Sequence, residues 1–206
     1  MHVFLITQYF HPEIGAAASR WGDYVKILIK KGHKVTVLCQ MPNYPHGKLF
    51  YGYKNQWVKK EILSKNLTIF RSGVWVNNRD SSIKLIGNYL SFVLSGIING
   101  LKIKKFDLII ISSPPLFVGL IGIVFKKIKK SSILLDLRDL WPESVIALGG
   151  IKSRLLIIMG RWLEKKIYNN VDGYIFAVPG FINYFKKSFP SELKKPMFNL
   201  MNGIDE

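Results

Sequence analysis

The fold is decided by residues 3–39, which read VFLITQYFHPEIGAAASRWGDYVKILIKKGHKVTVLC. The short apolar run 3–7 predicts a strand, and the spacing of apolar side chains within 20–31 predicts an amphipathic helix. Gly32 and His33 end that helix, and residues 34–39 form a second strand-like run. Because a strand, a helix and a strand in this order form a βαβ unit, we expect a parallel sheet.

The remainder of the chain continues this alternation. Further strands are predicted at 107–111, 132–137 and 172–177, and further helices at 83–104, from Pro115 to about 130, at 153–169 and at 179–188. Residues 41–56 form a polar loop rich in Pro, Asn, Gly and Tyr, and two short alternating runs follow at 57–63 and 67–76. The order predicts an α/β fold, a Rossmann-like, doubly wound parallel sheet, with residues 1–201 as one domain.

The composition excludes several classes of protein. The 206 residues are 49% hydrophobic, which excludes disorder, and Cys39 is the single cysteine, which excludes a disulfide scaffold. A net charge of +17 on so apolar a chain indicates an anionic partner: nucleic acid, phospholipid or a phosphorylated substrate. The six arginines are scattered, so we expect no nucleic-acid partner, and an anionic membrane surface is favoured. Lysines that complement helix dipoles are the alternative explanation.

Residues 83–105, IKLIGNYLSFVLSGIINGLKIKK, are uncharged from Leu85 to Leu101. Such a helix is compatible with three roles: a core helix, a helix on a membrane surface, or a membrane span. Seventeen residues is the lower edge of a span, and the polar side chains within the run weaken that reading.

Ligands of parallel α/β sheets bind beyond the carboxyl ends of the strands, so the residues that follow each strand are the candidate site residues. After the first strand, Gly15 and the alanines from Ala16 onward permit close backbone approach at a helix N-terminus, where amides favour anions. Tight packing of helix on sheet explains the same small residues equally well. No G-x-G-x-x-G pattern occurs, so a dinucleotide site is not expected.

Acidic residues are concentrated after the strand 132–137. Asp139 follows Arg138, and a carboxylate beside a guanidinium is held ionised, which suits it to accept hydrogen bonds from sugar hydroxyls or to position a nucleophile. Glu143 follows Pro142 in what would be the first turn of a helix, where the helix dipole alone can explain it. No pair of histidines has metal-ligand spacing, so no metal site is expected.

Six segments together resemble glycosyltransferase family 4, and more narrowly the branch that builds bacterial capsule and O-antigen repeat units. They are VFLITQYFHPEIGAAASR, KKGHKVTVLC, MPNYPHGK, SSPPLFVG, LLDLRDLWPES and LMNGIDE, which occur in the expected order along the whole chain. The resemblance implies the GT-B fold, in which two Rossmann-like domains enclose the active site. The N-terminal domain receives the acceptor, the C-terminal domain binds the nucleotide sugar, and transfer is retaining and metal-independent.

The resemblance also assigns site residues. Arg138 and Asp139 fall in the catalytic region, where relatives place a histidine that this sequence lacks, and Gly15 belongs to the loop near the donor phosphates. The substrate-binding residues that it implies are Glu13, Gly15, Ala16, Arg20, Trp141, Glu143, Asn202 and Gly203.

The implied setting is the inner face of the bacterial cytoplasmic membrane, with the protein peripheral to it. The acceptor is a polyprenyl-diphosphate-linked glycan, and the donor is a UDP-linked nucleotide sugar that acts as substrate, so no cofactor is expected. Lys102, Lys104 and Lys105 at the end of the 83–105 helix are the expected membrane-docking residues. Residues 202–206 are expected to open the linker to a C-terminal donor domain, without which the chain is inactive. The alternative is a non-catalytic sugar- or membrane-binding domain.

Overall fold

The computed structural model describes residues 1–147 and 153–201. Its strands are β1 (His2–Ile6), β2 (Lys34–Gln40), β3 (Val58–Ser64), β4 (Leu67–Ser72), β5 (Leu108–Ser113), β6 (Ser132–Leu137), β7 (Gly173–Phe176) and β8 (Met197–Asn199). Its helices are α1 (Ala16–Lys30), α2 (Ser82–Gly100), α3 (Val118–Lys129), α4 (Glu143–Ala147), α5 (Arg154–Asn170) and α6 (Phe181–Ser188), with a 3-10 turn at Pro190–Lys194.

The eight strands form one sheet in the order β3-β4-β2-β1-β5-β6-β7-β8. All neighbours are parallel except β3 and β4, which are antiparallel because the turn between them is too short for a parallel crossover. The chain builds outward from β1 through β2 on one side and from β5 on the other, so the strand order reverses between β1 and β5. The predicted Rossmann-like α/β fold is confirmed.

The central strands of the sheet are buried on both faces, whereas the edge strands β3 and β8 are largely open to solvent. Alternate side chains of β1 point to opposite sides: Val3 and Leu5 pack against α1, whereas Phe4 and Ile6 join the larger cluster built by α2, α3, α5 and α6. Glycines allow the helices of the larger cluster to approach closely. A Cβ atom on Gly122 of α3, for example, would lie 2.2 Å from the Cδ1 atom of Ile111 in β5.

Helix α2 is buried on one side only. Phe92 and Gly96 face the core, whereas the opposite side carries apolar residues that are exposed, among them Ile83 (79%) and Leu94 (64%). We call this exposed set the outward row of α2; it comprises Ile83, Leu90, Leu94, Ile98 and Leu101. Within residues 1–147 and 153–201, no helix is long and apolar enough to cross a membrane.

Helix α2 is shorter than predicted. It ends at Gly100, so the prediction of helix to residue 104 was wrong and the three lysines lie in the turn that follows. The amide of Ile103 donates to the Gly100 carbonyl (3.0 Å), and burial of the Ile103 side chain draws the chain back toward β5. Lys102, Lys104 and Lys105 are exposed there.

Candidate functional site

A pocket of about 280 Å³ opens where the strand order reverses, beyond the carboxyl ends of β1, β5 and β6. This is where open α/β sheets bind their ligands. We call it the switch pocket. It is lined by Tyr9, Glu13, Ile14, Gly15, Ala16, Ala17, Ala18, Tyr44, Tyr89, Pro114, Pro115 and Arg138.

The first wall is the start of α1. Gly15 is the N-cap residue, and no side chain in the described part of the chain caps the helix. The first-turn amides of Ala16 and its neighbours therefore face the pocket, where the helix dipole favours an anion. A Cβ atom on Gly15 would lie 3.4 Å from the Cε1 atom of Tyr44, so the loops on either side of the pocket are in contact.

Glu13 lines the pocket, but its carboxylate is already bound within the protein. One oxygen accepts hydrogen bonds from the side-chain amide of Gln40 (2.8 Å) and from the backbone amides of Asn43 (2.9 Å) and Tyr44 (3.0 Å). Burial raises the pKa of Glu13, and these hydrogen bonds oppose the rise. Glu13 therefore joins the loop after β1 to the loop after β2.

Arg20 stands behind the pocket rather than in its lining. Its Nη2 atom lies 2.9 Å from the Oδ1 atom of Asp136 and donates to the carbonyl of Leu200 (2.7 Å). The other Asp136 oxygen accepts from the Trp21 indole (3.0 Å), and the side chains of both Arg20 and Asp136 are almost fully buried. This cluster fixes α1 to β6, so Arg20 positions one wall of the pocket.

Arg138 forms the opposite wall. Its Nη2 atom donates to the carbonyl of Pro114 (3.1 Å), and its Nε atom lies 3.9 Å from Asp136 with no hydrogen-bond acceptor among the described residues. Burial lowers the pKa of Arg138, whereas the carboxylate of Asp136 raises it. Asp136 therefore contacts both guanidinium groups, that of Arg20 at 2.9 Å and that of Arg138 at 3.9 Å, and the charge of Asp139 also raises the pKa of Arg138.

Asp139 and Arg138 are adjacent in sequence but line different cavities. Asp139 and Trp141 line a second cavity of about 400 Å³, which is mainly apolar and lies beside the switch pocket. The Trp141 ring packs edge-on against Phe117 at 5.7 Å. Glu143 begins α4, as the Pro142–Glu143 sequence predicts, and its carboxylate pairs with Arg161 at 3.0 Å.

Two of the predicted residues, Asn202 and Gly203, lie outside the described residues. No group of His, Cys, Asp or Glu side chains within 1–147 and 153–201 could hold a metal ion. Cys39 is fully buried, and burial raises the pKa of its thiol to about 12.

An aromatic cluster above the pocket was not predicted. Tyr9 and Tyr44 lie with ring centroids 4.7 Å apart, and the Arg79 guanidinium lies 5.5 Å from the Tyr44 ring and binds the side-chain oxygen of Asn43. Burial raises the pKa of Tyr9 and of Tyr89, and a neutral tyrosine hydroxyl can both donate and accept a hydrogen bond. The abundance of tyrosine in residues 41–56 was the available signal, but nothing in the sequence connects that loop to Tyr9.

Two solved structures with a similar fold are synthases by name. The chain superimposes on sucrose-phosphate synthase from Thermosynechococcus elongatus with a TM-score of 0.63 and 14% identity, over 100% of this chain and 91% of that one. It superimposes on α,α-trehalose 6-phosphate synthase from Burkholderia multivorans with a TM-score of 0.51 and 13% identity, over 90% of this chain and 42% of that one. No protein-family model and no curated protein sequence matches the chain.

These likenesses define a class of fold. The sheet order, the reversal between β1 and β5 and the flanking helices are those of a Rossmann-like half-domain of the GT-B kind. The chain covers almost all of the solved sucrose-phosphate synthase chain but less than half of the trehalose 6-phosphate synthase chain. At these identities the likeness is one of fold.

Proposed function

We propose that this chain is the acceptor-side domain of a sugar transferase and that the switch pocket binds the phosphate-bearing part of the acceptor. This proposal departs from the family resemblance, which places the Gly15 loop near the donor phosphates. One observation carries the proposal: the Arg138 guanidinium and the start of α1, which no described side chain caps, line the same pocket at the reversal point of a GT-B-like sheet. Both a guanidinium and the N–H groups of a helix start bind phosphate oxygens. The start of α1 provides further N–H groups on the facing wall.

In this proposal the acceptor hydroxyl attacks the anomeric carbon of a nucleotide sugar, and the bond from that carbon to the nucleotide diphosphate breaks. The diphosphate leaves with the electron pair, and the proton of the hydroxyl passes to a base. We propose that Asp139, one residue from Arg138, belongs to the catalytic region, as the family resemblance implies. The tyrosines over the pocket, Tyr9, Tyr44 and Tyr89, offer ring faces and hydroxyl groups to a sugar.

The proposed donor, acceptor and pathway are based on the family resemblance of the sequence. We propose a retaining transfer from a UDP-linked sugar to a polyprenyl-diphosphate-linked glycan, in capsule or O-antigen synthesis, with the donor bound chiefly by a second domain. The acceptor then lies at an anionic membrane surface. The outward row of α2 and the exposed Lys102, Lys104 and Lys105 suit that surface, because apolar side chains enter the headgroup boundary and lysines are attracted to anionic lipid.

Binding of inorganic diphosphate, measured by titration calorimetry, tests the role of the pocket. We expect Arg138→Gln to weaken binding at least tenfold, because the substitution removes the charge that faces the pocket. Arg154→Gln, which removes an exposed arginine at the start of α5, is the matched control and should change affinity less than twofold. Equal affinities of the two variants would refute the assignment of the pocket. Arg138→Lys, which keeps the charge, should fall between them.

Vesicle flotation tests the membrane contact. We expect replacement of the three lysines after α2 by Gln to weaken binding to phosphatidylglycerol vesicles at least tenfold, since each lysine near an anionic surface contributes about 1 kcal/mol. The matched control replaces three exposed lysines at the end of α6 and in the 3-10 turn that follows it: Lys186, Lys187 and Lys194. Equal losses in the two triple variants, or equal recovery with phosphatidylcholine vesicles, would contradict a specific docking surface.

A second candidate function is a non-catalytic domain that binds membrane or sugar. The exposed outward row of α2 favours it, because a membrane contact needs no chemistry. Sugar transfer by the complete gene product, with UDP-sugars and a lipid-linked acceptor, separates the two. Turnover that falls with Arg138→Gln supports the transferase, whereas vesicle binding without any turnover supports the non-catalytic domain.

A further inference from the structure

The second cavity beside the switch pocket is an apolar groove of about 400 Å³ between α2 and α5. Its walls include Leu90 of α2, Phe117 at the start of α3, and Met159 and Trp162 of α5. Several of these side chains are open to solvent: Leu90 is 43% exposed, Met159 55% and Trp162 60%. Contiguous exposed apolar surface of this kind is typical of a binding groove.

The groove is continuous with the switch pocket. Tyr89, Pro114 and Pro115 line both cavities, so one ligand can occupy the two together. A row of aromatic rings leads from the junction into the groove: Tyr89 lies 5.6 Å from Phe117, and Phe117 lies 5.7 Å from Trp141. A molecule that passes from pocket to groove therefore leaves a cationic wall and enters an aromatic one.

The two cavities also differ in the charged side chains that line them. Arg138 and Glu13 line the switch pocket, where the Glu13 carboxylate is bound by hydrogen bonds within the protein, whereas the described lining of the groove carries no lysine or arginine and has Asp139 as its charged side chain. An anionic group is favoured in the pocket and disfavoured in the groove, and hydrocarbon is favoured in the groove. The pair of cavities is complementary to an amphiphile with a phosphate head and an apolar tail.

We propose that the groove binds the hydrocarbon chain next to the phosphate of a lipid-linked acceptor, while the phosphate lies in the switch pocket. This rests on the proposed function and adds to it a site for the lipid chain. Leu90 belongs both to the groove and to the outward row of α2, so the same helix face leads from the groove toward the surface proposed to meet the membrane. The lipid chain would pass along α2 without leaving apolar surroundings.

Ligands of graded chain length test the proposal. The probes are inorganic diphosphate, geranyl diphosphate and farnesyl diphosphate, used below the concentrations at which the lipids form micelles. Each buried methylene group strengthens binding by about fourfold, so affinity should rise at least tenfold from inorganic diphosphate to farnesyl diphosphate. Trp141 and Trp162 line the groove, and their fluorescence should change with the prenyl probes but not with inorganic diphosphate.

Two neighbouring residues of α5 provide a matched pair of variants. Met159 lines the groove and Ile158 does not, and the two are almost equally exposed, at 55% and 56%. We expect Met159→Glu to reduce the affinity for farnesyl diphosphate at least tenfold and to leave that for inorganic diphosphate within twofold. Ile158→Glu adds the same charge one position away and should change neither. Both sites are exposed, so both variants are expected to fold.

The possible outcomes separate this inference from the function on which it rests. If inorganic diphosphate binds in an Arg138-dependent manner but chain length has no effect, the groove assignment is wrong and the pocket assignment stands. If none of the three probes binds, both are wrong. Equal effects of Met159→Glu and Ile158→Glu would show non-specific lipid binding and overturn the groove. A change from dimer to monomer in Met159→Glu, with unchanged farnesyl diphosphate affinity, would show that a second copy of the chain covers it.

Discussion

Removal of the Asp136 charge tests whether the buried cluster behind the pocket stabilises the fold. It is fully buried and accepts hydrogen bonds from Arg20 Nη2 (2.9 Å), Arg20 Nε (3.3 Å) and Trp21 Nε1 (3.0 Å). Asp136→Asn keeps the shape of the side chain but removes its charge, which leaves the Arg20 guanidinium buried without a counter-charge. Removing one partner of a buried ion pair costs about 3–5 kcal/mol.

This loss should be visible in urea unfolding followed by circular dichroism. With a slope of about 2 kcal/mol/M, a loss of about 3 kcal/mol lowers the midpoint by about 1.5 M. The control is Asp23→Asn on α1, the helix that carries Arg20; this carboxylate pairs with Lys26 at 2.9 Å, but both side chains are exposed. An exposed pair contributes at most about 1 kcal/mol, so the control should change stability little.

Two results would refute the reasoning. One is a loss below about 1 kcal/mol for Asp136→Asn, and the other is an equal loss for Asp23→Asn. A double-mutant cycle with Arg20→Met strengthens the test, because residues that share a buried ion pair show coupling energies of about 0.5–3 kcal/mol. A coupling near zero would mean that the two side chains support the fold independently.

Three further predictions concern single buried positions. Burial raises the pKa of Glu164 to about 7. The protonated carboxyl therefore makes its full contribution to stability below about pH 4, and this contribution, roughly 3 kcal/mol, is lost as the pH rises to 7. Glu164→Gln should flatten the pH dependence of the unfolding midpoint, and an unchanged pH profile would contradict the assignment. Cys39 should react with a thiol reagent only after urea unfolds the chain, because its thiol is buried and its pKa lies at about 12; reaction at the same rate in the native state would contradict its burial. Gly122→Ala should lower the free energy of unfolding by about 1–3 kcal/mol through its clash with Ile111, whereas Gly180→Ala, which adds a Cβ in open space, should be neutral.

The sheet was predictable from the sequence because its central strands are buried on both faces and appear as continuous apolar runs. Residues 132–137 form β6 with the predicted bounds, and the 107–111 run forms most of β5. The edges were less predictable. β8 has only three residues, too few for a recognisable periodicity. α4 has only five, and its start at Glu143 was indicated by the preceding Pro142 rather than by periodicity.

The location of the site could be predicted from the sequence, but only some of the residues that line it could. The rule that ligands bind beyond the carboxyl ends of parallel strands selects the loops of Gly15 and Arg138, and both line the switch pocket. Tyr44 and Tyr89 reach the same pocket from elements distant in sequence, which local patterns do not reveal. The sequence also does not indicate that Arg20 contacts Asp136, because that pairing depends on where α1 crosses β6.

The Asp136 cluster has a consequence for how a ligand is received. One carboxylate contacts both Arg20, just beyond the α1 wall, and Arg138, which is the facing wall, so the width of the pocket is set before any ligand arrives. A preformed pocket spares the ligand the entropic cost of ordering loops and therefore favours a slow off-rate over adaptability. In the proposed function, the spacing between β6 and α1 limits the size of the head group, and loop side chains such as Tyr9 and Tyr44 determine its contacts.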